Sequence, residues 1–195
     1  PERRWTGRYA MTDGLFMTSR DGLNFHRFDD VPFFPSGIEG DGNWVYGDAY
    51  PAHGMVETPS DRKGEPDQIS MFAPDLAENA IRRYVIRLDG FVSLHAKYPD
   101  TELLSKPFVF DGDRLEFNYR TTVSGHFYVE IQDEKGVPFR GYEMKYCDEM
   151  FGDTVARDVS WRHNRDLSPL KGKTVRMRIV MRECDLFSFR FYNAD

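Results

Sequence analysis

Between about Tyr84 and Tyr192 the chain alternates apolar and polar positions with a period of two, the signature of strands that bury one face and wet the other. Leu115, Phe117 and Tyr119 alternate with Glu116, Asn118 and Arg120. Phe127, Val129 and Ile131 alternate with His126, Tyr128, Glu130 and Gln132. The same pattern recurs in Val175, Met177, Ile179 and Met181 against Arg176, Arg178 and Arg182, and in Phe187, Phe189 and Phe191 against Ser188 and Arg190. Turn residues separate the runs at Asp111-Gly112-Asp113, Ser124-Gly125, Lys135-Gly136 and Lys171-Gly172-Lys173. About eight or nine short strands follow from this spacing. They predict an all-β fold, an antiparallel two-sheet β-sandwich of jelly-roll type over residues 81–195.

Residues 1–80 read differently. The runs Leu15 to Ser19 and Leu23 to Phe28 flank Arg20-Asp21-Gly22, a hairpin signal, and a stretch rich in glycine and proline follows from Val31 to Asn43. Further strands are predicted at Trp44 to Gly47, Tyr50 to Glu57 and Gln68 to Phe72, with an exposed polar loop from Thr58 to Pro66. The stretch from Pro74 to Arg83 is the one place where a helical turn is expected, as a connector between the two halves.

Composition narrows the function classes. The chain has 195 residues, with 26 basic and 32 acidic side chains for a net charge of -6, and neither sign gathers into a block. Nucleic acid is an unsuitable partner, because phosphate binding needs a basic face. No apolar run approaches the roughly 18 residues of a membrane-spanning helix, so no membrane partner is expected. Aromatic residues make up 15% of the chain, which suits strands and offers ring faces to ligands. The start at Pro1 reads as a processed or truncated end.

Two cysteines, Cys147 and Cys184, make neither a disulfide framework nor a four-ligand zinc site, and free thiols or one bridge both fit the sequence. The five histidines, His26, His53, His95, His126 and His163, lack the paired spacing of zinc ligands. Calcium is a secondary candidate at Asp111 and Asp113 or at Asp148, Glu149 and Asp153, since it takes oxygen ligands, but neither cluster has the spacing of an EF-hand loop, and turn formation explains Asp111-Gly112-Asp113 without a metal. No cofactor is otherwise expected.

Several segments together resemble a known family. The runs Arg87 to Leu94, Ser105 to Phe108, Gly112 to Asn118, Tyr128 to Asp133 with Gly136 to Pro138, and Leu170 to Val175 look like the β-sandwich that follows a five-bladed β-propeller in proteins of the invertase and levanase type of glycoside hydrolase. The run Thr18 to Phe25 is similar to the outer-strand hairpin repeated in those blades. The resemblance implies the C-terminal part of such a protein: partial blade or blades over residues 1–80, then the sandwich. Five blades need on the order of 200 to 250 residues, whereas about 80 precede the sandwich, so the ring does not close within this chain. The family's catalytic carboxylates lie in earlier blades, and their motifs are not matched here. The resemblance also implies an oligosaccharide or polysaccharide partner and an extracellular or periplasmic setting.

Candidate substrate-binding residues follow from this reading. Asp48 and Glu57 flank the stretch expected to hold an inner blade strand, and His53 would donate to a sugar hydroxyl or to a carboxylate. Trp44 and Tyr46 offer ring faces for stacking on a sugar, with burial between the two halves as the competing account for Trp44. Trp161 reads as a sandwich-core residue, and the arginines at 176, 178 and 182 read as a wet sheet face. Three functions stay open: a noncatalytic C-terminal portion that packs on and stabilises the propeller; an accessory carbohydrate-binding module with Tyr128, Glu130 and the arginines outward; and an assembly sandwich that forms homo-oligomers through exposed strand edges.

Overall fold

The structure, a computed structural model, describes residues 12–28, 30–38, 50–75 and 78–194. Its described strands pair antiparallel throughout, and the chain divides into two units, Pro1–Leu88 and Asp89–Asp195. The all-β expectation holds. The division falls eight residues later than the alternation suggested, because Ala80–Arg87 belongs to a sheet of the first unit.

The first unit contains a two-stranded ribbon, β1 (Met17–Thr18) with β2 (His26–Arg27), and a meander of β3 (Val56–Thr58), β4 (Gln68–Asp75) and β5 (Ala80–Arg87) in the order β3-β4-β5. The helical turn expected over Pro74 to Arg83 is instead the β4–β5 hairpin. The Asp75 carboxylate accepts the Glu78 amide at 3.1 Å, and Asn79 takes φ 49°. The period-two face then decides the element: Tyr84 and Ile86 lie opposite Met71 and Ile69, and all four belong to one apolar cluster with Phe34. The strand expected over Tyr50 to Glu57 shrinks to Val56–Thr58. Pro51 lacks an amide donor, and Gly54 sits at φ 101°, outside strand geometry. The stretch expected at Trp44 to Gly47 lies outside the described residues.

The second unit contains β6 (Leu94–Ala96), β7 (Thr101–Leu104), β8 (Phe108–Val109), β9 (Arg114–Gln132), β10 (Asp153–Asp158) and β11 (Thr174–Tyr192), with 3-10 turns at Met144–Tyr146 and Ser168–Leu170. β11 is the hub. β9 runs along one of its edges, and β8, β7 and β6 follow one another along the other. β10 borders the first half of β9.

The eight or nine expected strands become six because β9 and β11, of 19 residues each, absorb four of them. A straight strand rises about 3.3 Å per residue, which would put Tyr119 and Phe127 about 26 Å apart. Their rings instead stack at 5.4 Å between centroids, only 2° from parallel. β9 therefore doubles back. The bend is at Thr122 to Gly125, which have no partner in the β11 register, where Glu183 alone stands between Arg182 (opposite His126) and Cys184 (opposite Thr121). Both halves of one ribbon thereby face a shared core, and the sandwich follows from the fold-over.

That core collects the alternating apolar residues. Leu115, Phe117 and Tyr119 meet Phe127, Val129 and Ile131, with Met177, Ile179, Met181, Cys184 and Leu186 from β11. Each large side chain withdrawn from water contributes roughly 1.5–3 kcal/mol. Residues 133–170 close the unit: Trp161 is buried as expected, donates Nε1–H to the Val129 carbonyl at 3.0 Å and meets the Tyr142 ring edge-on. Both cysteines are free and buried, so the bridge is not formed.

The outward placement of Glu130 does not hold. Glu130 is 5% exposed, accepts the Gln132 amide at 2.7 Å and the Met144 backbone N–H at 2.8 Å, and lies 3.6 Å from Arg178. A buried carboxylate is tolerable here because each oxygen has a donor. The arginine row is also spoken for: Arg178 forks onto Glu102, Arg176 donates to the Ser105 carbonyl, and Arg182 faces Asp100 and His126.

Candidate functional site

In the first unit, the residues singled out by the sequence do not assemble into a site. Trp44, Tyr46 and Asp48 lie outside the described residues. His53 and Glu57 are exposed, and neither has a partner among the described residues. Glu57 sits on the edge strand β3 opposite Ile69. A shallow hollow of about 600 Å³ lies against the hairpin loop, lined by Arg20, Asp21, His26 and Phe28. Its carboxylate is committed to the loop, since Asp21 accepts from Ser19, Leu23 and Asn24. Those backbone and side-chain donors hold Asp21 well below the usual carboxylate range.

A grouping of polar side chains around a cavity lies in the second unit, and the register of three strands creates it. Asp185 on β11 has His95 of β6 directly opposite on one side and Arg120 of β9 directly opposite on the other. Because Cys184 and Leu186 turn into the core, Asp185 between them turns outward, as does His95 beside buried Ala96. A row of imidazole, carboxylate and guanidinium results. Asp185 Oδ1 accepts from Ser93 Oγ at 3.0 Å and pairs with His95 Nδ1 at 2.8 Å, while Oδ2 accepts Arg120 Nη2 at 2.8 Å. Partial burial pushes the Asp185 carboxyl up, but the donors from Arg120, His95 and Ser93 outweigh it and hold the group below its ordinary range. An ionised carboxylate only accepts, so His95 carries its hydrogen on Nδ1 and leaves Nε2 as the free ring nitrogen.

Beside this row the bend in β9 forms a second wall. Glu183, in the left-handed region at φ 43°, accepts the Thr122 hydroxyl at 2.6 Å and the Ser124 hydroxyl at 2.5 Å through Oε2. These two donors hold its carboxyl below the ordinary range. His95, Lys97, Tyr98, Arg120, Thr122, Glu183 and Asp185 border a cleft of about 500 Å³, within the roughly 300–1,000 Å³ of small-molecule sites. Tyr98 is 72% exposed, and the guanidinium carbon of Arg182 lies 5.7 Å from its ring centroid. Arg182 is tied in turn: Nη2 donates to His126 Nδ1 at 3.1 Å. Its Nε is 3.4 Å from Asp100 Oδ1 but off the hydrogen-bonding direction, so that contact is ionic only.

Two further points concern chemistry. The carboxylates weighed for calcium have protein partners: Asp111 pairs with Lys171, Asp113 accepts the Ala194 amide, and Asp148 accepts Ser160 Oγ and the His163 amide. Among the described residues no three His, Cys, Asp or Glu side chains converge as metal ligands. A glycosidase acid requires a raised pKa. Among the described residues the displaced carboxyls, Asp21, Glu143, Asp148, Asp166, Glu183 and Asp185, move downward.

Sequence reasoning missed this cleft. Its residues come from three separate segments, around 95, 120 and 184, that only strand register brings together. The available signal was the polar set Ser93, His95, Lys97 and Tyr98 after a run already matched to the sandwich. No family model, curated protein or solved structure matches the chain.

Proposed function

We propose that this chain is the C-terminal portion of a glycoside-hydrolase-like carbohydrate-active protein, without turnover of its own, and that its second unit holds a saccharide in the Tyr98 cleft. The observation that carries the reading is the cleft's composition: one exposed aromatic ring beside fixed donors and acceptors. An apolar ring face accommodates the C–H face of a sugar, and directed polar groups meet its hydroxyls. The downward displacement of the Asp185 and Glu183 carboxyls supports binding over hydrolysis, because neither is poised to give a proton to a leaving group. The resemblance of the hairpin and sandwich runs supplies the saccharide class.

Calorimetric titration of the full chain with oligosaccharides tests the reading. Saturable binding that is lost in Tyr98→Ala, together with no release of aryl aglycone from activated glycosides, is the expected result. Turnover abolished by Glu57→Gln or Asp48→Asn would overturn it, as would silence across a broad oligosaccharide panel. A stable oligomer by light scattering at low micromolar concentration, with no saccharide bound, would favour assembly through strand edges instead.

A further inference from the structure

Deepening the saccharide reading, on which it rests, we infer that the sugar taken by this cleft is anionic, its carboxylate or sulfate group met by Lys97 and Arg120 while Tyr98 carries the ring. Asp185 is only 17% exposed and receives three hydrogen bonds from its own chain. Glu183 spends Oε2 on two hydroxyls. Asp185 is therefore committed to its own chain, while Glu183 keeps Oε1 open.

The bases face the cleft. Lys97 is exposed and has no ion pair or hydrogen bond among the described residues, which leaves three ammonium donors for a ligand. Arg120, 56% exposed, donates one N–H of its five to Asp185 and has Asp153 of β10 directly opposite as a second, electrostatic neighbour, with its other guanidinium N–H groups left without a hydrogen-bond acceptor among the described residues. The Tyr98 side chain adds a hydroxyl. A neutral sugar meets these N–H groups only with hydroxyl oxygens, which carry no charge. A carboxylate or sulfate is acceptor-only and matches a guanidinium fork and an ammonium with charge-assisted bonds. The open Glu183 Oε1 is then the cleft's acceptor for a hydroxyl of the same sugar.

The test uses the whole chain and three ligand arms in calorimetry at low and at physiological salt: neutral oligosaccharides, oligogalacturonate for the carboxylate, and carrageenan oligosaccharides for the sulfate. The expected result is at least tenfold tighter binding of one anionic arm than of any neutral sugar, weakened by salt. Lys97→Met should lower that affinity at least tenfold and remove most of the preference over neutral sugars, and Lys97→Arg should restore most of both. Neutral sugars bound as tightly as anionic ones, or a Lys97→Met chain that binds as before, would overturn the inference and leave the saccharide reading standing. No binding in any arm would remove both.

Discussion

The rings of Tyr119 and Phe127 lie parallel with centroids 5.4 Å apart although eight residues separate them along one continuous strand. This stack requires a hairpin-like reversal inside β9, and the reversal has a specific backbone condition. At Gly125 a Cβ would fall 2.6 Å from the Glu183 carbonyl oxygen and 2.8 Å from that of Arg182. These are backbone atoms of the partner strand and have no rotamer to escape into.

Gly125→Ala should therefore cost about 1–3 kcal/mol or more, since relief needs the strands to part at the bend. Gly141 is the control: its φ of 95° strains an alanine, but nothing lies within 4 Å, so Gly141→Ala should cost only about 1 kcal/mol. Urea denaturation of the two variants against the parent chain measures the difference. Equal costs would mean that the bend does not depend on close backbone approach.

The Asp185 cluster makes stability fall with acid. Its folded pKa lies below the unfolded value, so its contribution is fully present above the ordinary carboxylate pKa near 3.8 and is lost as pH falls through the depressed folded value. In Asp185→Asn this acid dependence should flatten, with the stability difference from the parent largest above about pH 5 and shrinking toward pH 2. Chemical denaturation over that range gives the curve. A parent and variant that lose stability in parallel would show that other carboxylates set the acid limit.

Burial pushes both thiols, Cys147 and Cys184, up to about 12. Neither should react with a disulfide reagent at neutral pH while the chain is folded, and two thiols should appear on unfolding. The Cys147 sulfur also lies 3.2 Å from the Val129 amide, within the core. Rapid labelling of either thiol in the native protein would mean that the ribbon opens locally.

How far the fold was legible depends on which interactions decide each element. The alternation in Phe127, Val129 and Ile131 and in Met177, Ile179 and Met181 is a local property, and it located the strands and their buried faces. The fold-over at Thr122 to Gly125 is not local. Ser124-Gly125 reads as an ordinary turn between two strands, and only the unpaired Glu183 across the ribbon makes it an interruption within one. Likewise, the helical turn expected over Pro74 to Arg83 loses to the pairing of Tyr84 and Ile86 with Met71 and Ile69. The cleft was the least legible part, because His95, Arg120 and Asp185 become neighbours solely through register, over separations of 90 and 65 residues. A one-residue slip would turn Asp185 into the core.

The hairpin loop offers the sharpest check on a sequence signal that did carry structure. Asp21 Oδ1 accepts the amides of Leu23 at 2.9 Å and Asn24 at 2.8 Å, and Oδ2 accepts the Asn24 side chain at 2.6 Å, so one carboxylate orders the loop between β1 and β2. These bonds require the ionised form and depress its pKa, so acidification should leave them intact through the ordinary carboxylate range and break them only below it. In a proton–nitrogen correlation spectrum the Leu23 and Asn24 amides should hold their positions from pH 7 to below pH 3 and then move. In Asp21→Ala both should sit upfield at every pH, with the second unit's spectrum unchanged. Amides that titrate near 3.8 would show that the loop is not organised by this carboxylate.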